Sequence, residues 1–113
     1  MGLLHYKGFT GCVEYDEKDN SFYGHVLGLR QDGISYEGNT AECLKKDFED
    51  SIDDYLSYCA EIGKQPERPF SGKLVIRMTS DLHREAAEKA YAIGISLNEF
   101  INRAIISAMV GVM

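Results

Sequence analysis

Both prolines of the 113-residue chain, Pro66 and Pro69, fall inside the stretch bounded by Gly63 and Gly72. Proline continues neither a helix nor a central strand, and glycine loosens the backbone, so no regular element is expected to run through this stretch. It reads as a linker at 64–72 between two modules, 1–63 and 73–113. Charge divides at the same place. Residues 1–63 hold 13 acids against 5 bases, and residues 64–113 hold 5 acids against 7 bases. The first module, at −8, is a poor ligand for phosphates. The second is mildly basic, and a symmetric dimer doubles its charge.

With 44% hydrophobic and 27% charged residues the chain reads as globular, and no apolar run approaches the ~20 residues that span a bilayer. Met1-Gly2-Leu3-Leu4-His5-Tyr6 has neither the charged start nor the apolar core of a signal peptide, and Tyr6 stands where a myristoylation motif wants Ser or Thr. A soluble cytoplasmic protein without a membrane partner is therefore expected. The cysteines (Cys12, Cys43, Cys59) and histidines (His5, His25, His83) are scattered, with neither disulfide nor metal-ligand spacing, so no metal or cofactor is expected. Cys59, on the apolar face of a helix, is read as simply buried.

The first module reads as strands followed by one long helix. Tyr6–Tyr15, Phe22–Leu29 and Ile34–Glu37 are strand-like, separated by Asp16–Asn20 and Asp32-Gly33, with Gly24 and Gly28 marking bulges or close backbone approach. Thr40 is a good N-cap. After it Leu44, Phe48, Ile52, Tyr55, Leu56, Cys59 and Ile62 recur at steps of three and four until Gly63. Three antiparallel strands under one helix are expected.

The other face of that helix carries Glu49, Asp50, Asp53 and Asp54. Asp50, Asp53 and Asp54 lie on adjacent turns, and converging carboxylates can hold Mg²⁺ for phosphodiester hydrolysis. No nucleophile, positioned base or phosphate-cradling loop accompanies them, so they read as a solvated face, or as a surface complementary to a basic protein.

The second module is sharper. Lys73, Val75 and Arg77 share one face of an extended segment, and Leu74, Ile76 and Met78 share the other. Thr79 and Ser80 offer N-caps to a helix from about Asp81 to Ile93, whose stripe is Leu82, Ala86, Ala90 and Ile93 and whose end is Gly94. Ser96-Leu97-Asn98-Glu99 is a capping box opening a second helix, with Leu97, Phe100, Ile101, Ala104, Ile105, Ala108 and Met109 as its stripe. About 40 residues cannot bury this much apolar surface alone. Two copies pairing their strands make a ribbon whose underside packs on four helices and whose upper side offers Lys73, Val75 and Arg77 twice to a DNA major groove. Free amides at Ser96, Leu97 and Asn98 can hold a phosphate. This is the ribbon-helix-helix arrangement. A helix-turn-helix would leave the strand unused and offer mainly Asn98, Asn102 and Arg103 to the groove.

The order of these motifs resembles the HicB-family antitoxins that end in a ribbon-helix-helix domain. The resemblance is carried by Tyr6–Gly11, Phe22–Leu29, Tyr36-Glu37-Gly38, Asp53–Leu56, Ser71–Arg77 and Ser96-Leu97-Asn98. It implies an α+β protein: a degenerate ribonuclease H-like sheet with a covering helix, without nuclease activity, plus the C-terminal DNA-binding domain. It implies a type II antitoxin that neutralises a basic HicA-like mRNA-cleaving toxin and represses its own operon at operator DNA, as a homodimer or higher oligomer. The acidic side chains Glu49, Asp50, Asp53 and Asp54 are the candidate toxin contacts. The alternatives are an orphan ribbon-helix-helix repressor without a toxin and, further off, a metal-dependent ribonuclease H-like nuclease.

Overall fold

The computed structural model describes residues 2–111 as two compact units, one reaching to Lys73 and the other beginning at Leu74. The first is a four-stranded antiparallel meander: β1 (Gly2–Tyr6), β2 (Phe9–Asp16), β3 (Ser21–His25) and β4 (Ser35–Gly38), lying side by side in chain order. The expected strand at Tyr6–Tyr15 is thus a correction. Tyr6 closes β1, pairs with Phe9, and leaves Lys7-Gly8 as a two-residue turn. Both turn residues have positive φ (49° and 83°), the geometry whose twist matches that of flanking strands. The expected strand to Leu29 also stops early, at His25, after which Val26 keeps a single bridge to Gly11.

One helix, α1 (Ala41–Ile62), covers one face of this sheet. Its limits follow from local chemistry. Thr40 Oγ1 accepts the Cys43 amide at 3.1 Å, and Gly63 turns the chain out at φ 71°. The helix drives Leu44, Phe48 and Ile52 onto Phe9 and Tyr36 from the sheet and Val26 and Ile34 from the connection between β3 and β4. Each such side chain, fully buried, contributes about 1.5–3 kcal/mol. Cys59 is buried as expected.

Tyr36 sets the tightest packing. Its ring stands edge-on to Phe48 with centroids 5.0 Å apart, and its hydroxyl donates to the Cys12 carbonyl at 2.7 Å. Burial holds that hydroxyl neutral by raising its pKa. A Cβ on Gly24 would sit 1.9 Å from the same carbonyl oxygen, which explains glycine there as close backbone approach.

The second unit holds α2 (Ser80–Ile93) and α3 (Leu97–Met109). Thr79 caps α2 through the Leu82 amide, and Gly94 ends it at φ 79°. Ser96 Oγ accepts the Glu99 amide at 3.0 Å. The expected capping box is only half used, because the Glu99 carboxylate pairs with Arg103 at 2.7 Å. Ala90 is the one buried side chain among the described residues of this unit, while Leu82, Ile93, Ile105 and Met109 of the expected stripes are exposed. Among the described residues, no helix is long and apolar enough to cross a membrane.

Candidate functional site

Residues 73–79 form no strand within the chain. In this single copy the whole segment stands open: Leu74 is 77% exposed and Val75 80%, against 46% for Ile76 and 37% for Met78. Lys73 is the last residue of the first unit, whereas Val75 and Arg77 belong to the second. The Lys73 amide donates to Ser71 Oγ at 3.3 Å. An unladdered stretch with exposed apolar side chains at Leu74, Ile76 and Met78 is open to a second strand.

Ser96, Leu97 and Asn98 come together at the start of α3. Ser96 is committed as the cap, Leu97 is half-buried, and Asn98 is exposed with its carbonyl accepting Asn102 Nδ2 at 2.8 Å. The backbone amides ahead of the first full turn have no helical acceptor, which makes this end the anion-facing end of the helix.

The acidic face is less uniform than its sequence suggests. Asp53 accepts from Lys7 Nζ at 2.8 Å and from Tyr6 Oη at 2.9 Å, so it pins the β1–β2 turn to α1. These two hydrogen bonds, Lys7's first, hold the Asp53 carboxyl below its ordinary pKa, and they raise those of Tyr6 and Lys7. Asp50 is paired one turn back with Lys46 at 2.8 Å. Glu49 is half-buried and lines a small hollow with Leu3, Leu4, His5, Lys45 and Phe48, while Asp54 is exposed. The four acids therefore divide: Asp50 and Asp53 carry compensated charge, Glu49 is half-buried, and Asp54 is exposed to solvent. Among the described residues no three His, Cys, Asp or Glu side chains gather as a metal-ligand set.

Sequence reasoning missed a second cluster altogether. Asp32 accepts from Lys64 Nζ at 2.8 Å and from Tyr55 Oη at 2.6 Å, and the Tyr55 oxygen in turn accepts the Glu67 amide at 2.7 Å. Lys64 first, then Tyr55, depresses the Asp32 pKa, and burial together with the bond to Asp32 pushes the Tyr55 hydroxyl up to about 12. The segment read as a linker is thus attached to the first unit. The Asp32-Gly33 turn signal marked the place, but nothing local in sequence pairs it with residues 64–67.

Residues 55–105 match the family model of the HicB family. The HicB match begins at Tyr55, crosses the attached segment and reaches most of the way along α3, so it takes in both the 73–79 stretch and the Ser96 cap. The match spans 51 of the 113 residues, so it is this stretch of the chain that is similar to the family. No curated protein and no solved structure gives a match.

Proposed function

We propose that this chain is an antitoxin of the HicB type: a homodimer that represses transcription by binding operator DNA through its second unit and sequesters a basic, RNA-cleaving toxin through its first. The observation that carries the proposal is the open 73–79 segment. Its alternation, the capped helices after it and a unit with one buried side chain form an incomplete domain that a second copy completes. Pairing two such strands antiparallel as a ribbon-helix-helix buries Leu74, Ile76 and Met78 and turns Lys73, Val75 and Arg77 outward to the groove, with the α3 start on a phosphate. The degenerate ribonuclease H-like character of the first unit, without catalysis, belongs to the same proposal.

The test is anisotropy titration of the DNA upstream of the gene. Arg77→Ala loses about 1–3 kcal/mol of affinity and relaxes specificity at one base pair per half-site, the size of a lost base-reading contact. Unchanged affinity and specificity remove Arg77 from the reading. Toxin binding is tested separately, by co-purification with a basic protein encoded next to the gene. If no such neighbour exists, the orphan-repressor reading stands in its place.

A further inference from the structure

The Glu67 carboxylate accepts three consecutive backbone amides, those of Arg30, Gln31 and Asp32, the last two at 3.0 and 2.8 Å. These bonds, with Arg30's and Asp32's contributing most, hold the Glu67 carboxyl below its ordinary pKa. The amides belong to the irregular run between Val26 and β4, which has no ladder to satisfy them. Around this contact lie three more. Lys64 reaches Asp32, the Glu67 amide reaches Tyr55, and the Phe70 amide donates to the Gly28 carbonyl at 3.3 Å. The Phe70 ring also lies against Gly28, so close that a Cβ there would meet its carbons at 2.7 Å. Two irregular segments, 27–33 and 64–70, thus order each other.

We propose that residues 64–70, at the C-terminal end of the first unit, are a strap latched by Glu67, which shields this stretch from proteolysis and keeps it from acting as a free tether. With the latch closed, the stretch without contacts to the first unit begins only after Phe70. With it open, the free stretch begins at Gly63, and flexible chain dilutes whatever it tethers. A protease must lift the Lys64–Gln65 bond out of this set of contacts to cut it. Local opening, rather than global unfolding, is therefore the event that exposes the bond.

The experiment uses the full chain, wild type and Glu67→Ala, with limited trypsin digestion followed by intact mass measurement and with amide exchange. The Arg68–Pro69 bond resists trypsin because proline follows, so Lys64 reports on the strap. Cleavage after Lys64 rises at least tenfold in Glu67→Ala, and the amides of Arg30, Gln31 and Asp32 lose protection while those of Phe48 and Ile52 keep theirs. Glu67→Gln, which retains one acceptor oxygen, gives a smaller rise. The proposal is overturned if wild-type Lys64 is cut as fast as in the urea-unfolded chain, or if the two proteins are cut alike. It is equally overturned if protection at Phe48 and Ile52 collapses with that at 30–32, since Glu67 would then hold the whole unit and not a strap.

Discussion

Leu74 and Val75 are neighbours and almost equally exposed in the single chain, at 77% and 80%, yet the ribbon arrangement gives them opposite fates. In the proposed ribbon, Leu74 lies on the face that a second copy covers, and Val75 on the face left for DNA. Leu74→Ala deletes three carbons, worth about 0.8 kcal/mol each when buried. Because 77% of the residue is still open to be buried, the loss on association is about 2 kcal/mol per chain, or ~4 per dimer. At ~1.4 kcal/mol per tenfold, the dimer Kd rises by several hundred-fold, on the order of 10²–10³. Sedimentation equilibrium over a range of concentrations measures this directly, and helix content followed on dilution shows whether the second unit survives as a monomer. Val75→Ala serves as the partner measurement, leaving the dimer Kd within about twofold, the scatter of an ordinary surface change. Equal weakening by both substitutions, or by neither, would refute the assignment of faces and with it the ribbon.

Other consequences are open to measurement. Ile52→Ala, at a fully buried position against the sheet, destabilises the first unit by about 2–5 kcal/mol in urea unfolding. Gly24→Ala places a carbon onto the Cys12 carbonyl and loses at least the ~1–3 kcal/mol of an overpacked core by the same assay. Asp53, Asp32 and Glu67 all titrate below their ordinary values in the folded state, so their stabilisation is complete above about pH 4.5 and disappears as pH falls through the depressed values. Melting temperature should therefore fall below about pH 4 on their account, while Lys7 and Lys64, raised by these same carboxylates, lose their contribution only above about pH 10.5. Under the proposed antitoxin role, toxin association slows with added salt, and Asp54→Asn slows it more than Asp53→Asn, because Lys7 already compensates the Asp53 charge. Labelled RNA and RNA–DNA hybrid stay intact with the purified chain in Mg²⁺ or Mn²⁺; cleavage abolished by Asp53→Asn would reverse that expectation.

Helix limits were the most legible part of this fold, because they rest on local pairs: Thr40 with the Cys43 amide, Ser96 with the Glu99 amide, glycine at 63 and 94. The heptad-like spacing from Leu44 to Cys59 likewise located the core. Strand boundaries failed where the decisive residue was unremarkable. Lys7 is no turn former, and its left-handed conformation is stabilised by Asp53, 46 residues away. The same non-local pair explains why four adjacent acids did not behave as one surface. Residues 64–72 had the composition of a linker, and composition says nothing about a glutamate finding three orphan amides across more than thirty residues. The alternation at 73–78 suggested a strand, and none forms in the single chain, because the chain holds no partner strand beside it.

The meander joins each strand to its successor in the chain, and α1 then closes over β4 before the strap arrives. Every pairing in the sheet is therefore short in sequence, which places this unit among folds that form quickly. On a ribosome the sheet, α1 and the strap have all been made before the first residue of the second unit is added. The acidic unit holds all its own strand partners, whereas the second unit, with one buried side chain among its described residues, does not complete a core by itself. Under the proposed antitoxin role, the toxin-binding surface is therefore complete in a single chain, and only the DNA-binding activity depends on protein concentration.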